Sequence, residues 1–165
     1  MFDFKPSPDQ DPLETYRELA NAVDALTMGE PDAVANMANV AALLWEFLPD
    51  LNWAGFYRIG PAISQGEELI LGPFVGRPAC IRIPIGQGVC GAAAKQGATQ
   101  LVEDVHAFPG HIACDAASQS ELVVPIMRAG KVIAVIDLDS PVPARFTAQD
   151  AAGVEKIAAL LSERI

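Results

Sequence analysis

Apolar residues recur at helical spacing in two blocks near the start of the chain and in one at its end. Asp11-Pro12 reads as an N-cap and first helical position, with Leu13, Tyr16, Leu19, Val23 and Leu26 on one face until Gly29. A second helix is expected from Asp32, carrying Val34, Met37, Val40, Leu44 and Phe47 inward and closed by Pro49. Thr147-x-x-Asp150 is a capping-box variant that opens a terminal helix with Val154, Ile157, Leu161 and Ile165. Between these blocks the pattern changes to that of strands, at residues 52–59, 69–71, 81–85, 122–127 and 131–138. Residues 1–10 are polar and Pro-containing and read as a loose arm, leaving 11–165 as one domain. The expected class is α+β, a mainly antiparallel sheet flanked by N-terminal and C-terminal helices.

The last two strands form a hairpin around Arg128-Ala129-Gly130, and its register can be argued from the alternation. Leu122, Val124 and Ile126 share one face, as do Ala134, Ile136 and Leu138. A two-residue loop sets these apolar sets on opposite faces, whereas a three-residue loop with Gly130 left-handed in a bulge aligns them. The second register places Glu121 opposite Asp137 on the non-core face, with Asp139 one step along. Carboxylates that close repel one another, so a cation or a retained proton must settle them.

Composition narrows the partners. The 165 residues are 51% hydrophobic and 19% charged, enough for a buried core. A net charge of −10, with no Lys/Arg cluster, argues against nucleic acid and against an anionic membrane surface. No segment has the apolar length of a membrane-spanning helix, and the start lacks the pattern of a signal peptide. Three cysteines do not make a secreted disulfide framework, so a cytoplasmic protein with reduced thiols is expected.

The chemistry-bearing residues concentrate in the middle. Asp104-Val105-His106 and Phe108-Pro109-Gly110-His111-Ile112-Ala113-Cys114-Asp115 form a long Gly/Pro-punctuated connection holding both histidines and a cysteine. Protonated His111 would favour a Cys114 thiolate. Gly86-Gln87-Gly88-Val89-Cys90-Gly91 is a Gly-rich turn entering a short helix, whose unpaired N–H groups suit an anion; a plain tight turn reads the same way. Cys80 precedes a strand. Zinc ligation by Cys80, Cys90, Cys114, His106 and His111 is disfavoured because no pair has the spacing of a structural site. Trp53 and Tyr57 share a strand face, where core packing is their default role; beside a pocket they would hold a thioether-like methyl group.

These runs, together with Asn52-Trp53-Ala54-Gly55-Phe56-Tyr57, Leu71-Gly72-Pro73-Phe74, Pro78-Ala79-Cys80 and Asp137-Leu138-Asp139-Ser140-Pro141, closely resemble the free methionine-(R)-sulfoxide reductases, which are built on a GAF domain. The resemblance spans roughly residue 13 to the end of the chain and includes all three family cysteines. It implies that Cys114 attacks the sulfoxide sulfur, that Cys80 resolves the resulting sulfenic acid as a disulfide, and that thioredoxin or another dithiol restores both thiols. Cys90 is an accessory or alternative resolving cysteine, since a helix start would lower its pKa too. Glu121 and Asp139 match family pocket carboxylates with an acid role, Asp137 one facing the substrate ammonium, and Gly88, Val89 and Cys90 offer backbone to the substrate carboxylate. The resemblance implies no tightly bound cofactor, no metal and a homodimer. The rival readings are a non-catalytic GAF-type small-ligand sensor and a reductase of protein-bound methionine sulfoxide.

Overall fold

Helix α1 (Pro12–Thr27) begins where Asp11 accepts a hydrogen bond from the Leu13 N–H at 2.8 Å, and α2 (Ala33–Phe47) where Asp32 accepts from Ala35 at 2.8 Å. The computed structural model describes residues 10–110 and 115–165. Expectations for the arm at 1–9, for His111 and for Cys114 lie outside the described residues. The terminal helix α4 (Ala148–Leu161) carries the reciprocal Thr147–Asp150 capping box. Two inward assignments are corrected: Leu13 is 63% exposed and Val34 55%. Both lie in the first turn of their helices, and periodicity names a face without saying where along the helix its partner begins. Ile165 falls beyond α4 and packs against the core from there.

Six strands form one sheet in the order β3-β2-β1-β6-β5-β4: β1 (Trp53–Pro61), β2 (Glu67–Gly76), β3 (Arg82–Pro84), β4 (Gln100–Val102), β5 (Ser120–Arg128) and β6 (Lys131–Ser140). Each pairing is antiparallel. Strand β2 runs well past the expected 69–71 because Gly72 and Pro73, which read as turn residues, sit in a bulge opposite Phe56. Strand β4, three residues long, has too little alternation to be seen in the sequence.

Both faces of the sheet are covered. Helices α2 and α4 pack on one face and α1 packs on them, closing a core with Ala54, Phe56, Leu122, Val124, Ile126, Ile136 and Leu138. Helix α3 (Gly88–Gln96) lies on the other face, over Trp53, Tyr57, Leu69, Ile83, Val123 and Val135. The face expected to be non-core is therefore a second, smaller core. Among the described residues no helix is long and apolar enough to cross a membrane.

The hairpin keeps the expected faces by a different route. Arg128 pairs with Lys131, so the loop has two residues, Ala129 and Gly130, with φ of 49° and 76° as in a type I′ turn. A bulge then inserts Ile133 between Val132, opposite Met127, and Ala134, opposite Ile126. That extra residue restores the parity that the short loop would have lost, and Leu122 pairs with Leu138. Glu121 consequently faces Asp139, and Val123 faces Asp137; the expected Glu121–Asp137 pairing is off by one pleat repeat.

Candidate active site

The register of three strands assembles the carboxylates. Trp53 of β1 pairs with Asp139 of β6, which pairs with Glu121 of β5; Gly55 pairs with Asp137 one pleat further. All point to the α3 side because side chains alternate along each strand. Gly55 is needed there, since an added Cβ would lie 2.7 Å from the Trp53 ring and collide with Phe74. The vacated space lets Trp53 stack on Tyr57, with centroids 5.8 Å apart, and on Phe74 at 5.2 Å.

The polar tips of the two aromatic rings hold the segment before β3. Trp53 Nε1 donates to the Arg77 carbonyl at 3.2 Å, and the Tyr57 hydroxyl donates to the Cys80 carbonyl at 3.0 Å. Burial, with the nearby Asp137 charge, pushes the Tyr57 pKa up, so the phenol remains a donor. Sequence reasoning gave Trp53 and Tyr57 a methyl-holding surface and missed this anchoring role. The segment before β5 is held by Asn52, whose Nδ2 donates to Ser118 Oγ at 3.0 Å and to Asp115 Oδ2 at 3.3 Å. Asn52 and Ser118 carry no motif that would have singled them out; only the pairing of distant segments reveals them.

Cys90 is delivered from above by α3. The tight entry to this helix requires Gly91, where an added Cβ would sit 2.5 Å from the Pro84 carbonyl, while Gly86 donates to the Gly91 carbonyl at 2.8 Å. Cys90 is a free, buried thiol with Sγ 4.0 Å from Glu121 Oε1. Burial first, and then the charges of Asp137 and Glu121, push its pKa well up, so the lowering expected from a helix start is overridden. Cys80, by contrast, is disulfide-bonded and sits in the half-buried rim of the cleft. Gly88 and Val89 are buried beside Cys90, and neither lines the cleft. His106 is exposed on a short 3-10 turn capped by Asp104.

Burial also sets the charge state of the carboxylates. It raises Glu121 and Asp139 well above the ordinary carboxylate range, and the negative charge of Asp137 raises both further. Asp137 is raised to about 6, checked by hydrogen bonds from Cys90 and Glu121. Burial thus favours the protonated form of Glu121 and Asp139, and Asp137, raised only to about 6, is the most readily ionised of the three. Cys90, Glu121 and Asp137 bring donor atoms within 4.8 Å of one another. One oxygen of Asp137, Oδ1, is buried without a hydrogen-bond partner among the described residues.

Trp53, Tyr57, Arg77, Pro78, Ala79, Asp115, Asp137 and Asp139 line a narrow cleft with an interior volume of about 10 Å³. It combines an aromatic wall with the carboxyls of Asp115, Asp137 and Asp139, and Cys80 directly follows Ala79 of its lining. Such a site can grip an apolar methyl group and hand a proton to a leaving oxygen.

Comparison with known proteins agrees with this geometry. The GAF domain family model matches residues 37–165. A free methionine-R-sulfoxide reductase of Escherichia coli is 47% identical over 150 residues, covering 91% of this chain and 88% of that protein. The enzyme of the same name from Saccharomyces cerevisiae is 41% identical, covering 91% and 85%. The structure of free methionine-R-sulfoxide reductase from Neisseria meningitidis in complex with its substrate superposes with a TM-score of 0.89 at 42% identity, covering 97% and 93%. With two strands of chemistry-bearing carboxylates, an aromatic wall and a cysteine rim set on this sheet, the chain belongs to the free methionine-R-sulfoxide reductases of the GAF domain family.

Proposed function

We propose that this protein reduces free L-methionine-(R)-sulfoxide to methionine, with Cys114 as nucleophile. The observation that carries the proposal is the buried Glu121–Asp137–Asp139 cluster beside stacked Trp53 and Tyr57, where burial raises all three carboxyls, Asp137 to about 6 and the other two well above the ordinary range. The aromatic wall takes the substrate methyl group. Asp137 faces the ammonium. Glu121 or Asp139 protonates the sulfoxide oxygen as Cys114 Sγ attacks the sulfur.

In the first half-reaction the thiol and the sulfoxide become a sulfenic acid and methionine. The Cys80 thiol then attacks the sulfenic sulfur, forming a disulfide and releasing water. A dithiol such as thioredoxin reduces that disulfide and is itself oxidised, with no tightly bound cofactor needed. The disulfide-bonded state of Cys80 and the free, high-pKa state of Cys90 support giving the resolving role to Cys80. This chemistry suits a reducing cytoplasm, and the protein acts as a homodimer.

A non-catalytic sensor of small ligands is the competing reading. Titrating thiols before and after addition of methionine sulfoxide to reduced protein separates the two. The reductase loses two thiols and releases methionine; a sensor loses none.

A further inference from the structure

We propose that Arg77 binds the carboxylate of the substrate and is the residue that selects a free amino acid; this deepens the reductase reading above and rests on it. A zwitterion needs a cation as well as an anion in its site. Three acidic residues line the cleft, Asp115, Asp137 and Asp139, and Arg77 is the single basic residue on that lining among the described residues. The backbone of α3 at Gly88 and Val89 is buried away from the lining and leaves the carboxylate without a partner there.

Arg77 is placed for this role by the sheet. Gly76, Trp53, Asp139 and Glu121 form one row across β2, β1, β6 and β5. Arg77 follows Gly76 at one end, with Asp139 two strands and Glu121 three strands away, about 10 and about 14 Å in a sheet of ordinary spacing. That span suits an amino acid whose sulfoxide lies at the acids and whose carboxylate lies at the rim. The Trp53 Nε1 bond to the Arg77 carbonyl fixes the backbone at the rim, while the guanidinium makes no ion pair or hydrogen bond with the described residues. Elsewhere Arg17, Arg82, Arg145 and Arg164 are each committed to a carboxylate. Asp115 feels the Arg77 charge but makes no ion pair with it; its carboxylate accepts from the Ala117 N–H at 3.0 Å and from Asn52. A fork of N–H donors of this kind recognises a carboxylate bidentately.

The test compares free methionine-(R)-sulfoxide with its decarboxylated analogue, the R epimer of 3-(methylsulfinyl)propan-1-amine, in wild-type, Arg77→Ala and Arg77→Lys enzymes. Loss of a charge-assisted bond raises KM for the amino acid by about tenfold or more in Arg77→Ala, with a much smaller change in kcat. Arg77→Lys recovers part of that loss, and kcat/KM for the amine is nearly the same in all three enzymes. An unchanged KM for the amino acid overturns the assignment. Equal losses with both substrates also overturn it, since they would place Arg77 in the thiol chemistry of nearby Cys80. Wild-type protein inert toward both substrates overturns the reductase reading and this inference with it.

Discussion

The Tyr57 hydroxyl donates to the carbonyl of Cys80 at 3.0 Å, tying the rim cysteine to the strand that forms the aromatic wall. The bond holds the backbone of Cys80 in place for attack on a sulfenic acid. Tyr57→Phe keeps the ring and deletes the bond, at a cost of about 1 kcal/mol. The expected outcome is a several-fold slower steady-state rate with an unchanged burst of methionine in the first turnover. A slowed burst with normal recycling would show that Tyr57 acts on the substrate instead.

Cys80 and Cys90 should separate cleanly. Cys80→Ser is expected to release one equivalent of methionine and then stall, with recycling by dithiols impaired. Cys90→Ser, which removes a buried thiol of high pKa, should retain multiple turnovers. Quantifying methionine per enzyme at early times checks both. Stalling of Cys90→Ser alone would exchange the roles.

Much of this site could be read in the sequence because it depends on alternation. Glu121, Asp137 and Asp139 share a face whenever Leu122, Val124, Ile136 and Leu138 share the other, whatever the loop length. The pairing partner was not legible: an Ala-Gly turn and a bulge at Ile133 moved Glu121 from Asp137 to Asp139. Nor was the burial of the carboxylate face, because it depends on α3 folding back over β5 and β6. Cys90 illustrates the same limit. Its position at a helix start suggested a lowered pKa, and tertiary burial beside two acids pushes it up instead.

Glu121→Gln or Asp139→Asn is expected to lower the rate of methionine formation roughly a hundredfold or more, the scale of general acid catalysis. Asp137→Asn should act chiefly on KM, because Asp137 is the most readily ionised of the three carboxyls. Steady-state kinetics of the three variants checks this division. Unchanged kinetics in all three would remove the cluster from the mechanism.

The same charge carries a stability cost with a defined pH window. Burial raises Asp137 from 3.8 to about 6 in the folded protein, so folding favours its protonated form. No penalty exists below the unfolded pKa; it grows as pH rises through this window and is complete above the folded pKa. Asp137→Asn should therefore gain stability relative to wild type between about pH 4 and pH 7.5, by up to about 3 kcal/mol. Urea unfolding of both proteins at the two pH values measures it. A stability difference independent of pH would contradict the buried charge.

The central claim, that Cys114 reduces the free amino acid, is tested most directly by single-turnover methionine formation. Each sulfoxide epimer, free and within a short peptide, is incubated with reduced wild-type enzyme and with Cys114→Ser. The account predicts methionine from the free R epimer with wild type alone. A peptide-bound residue has neither the ammonium that Asp137 would face nor the carboxylate that Arg77 would hold. Substantial product from the peptide, or from Cys114→Ser above background, would contradict it.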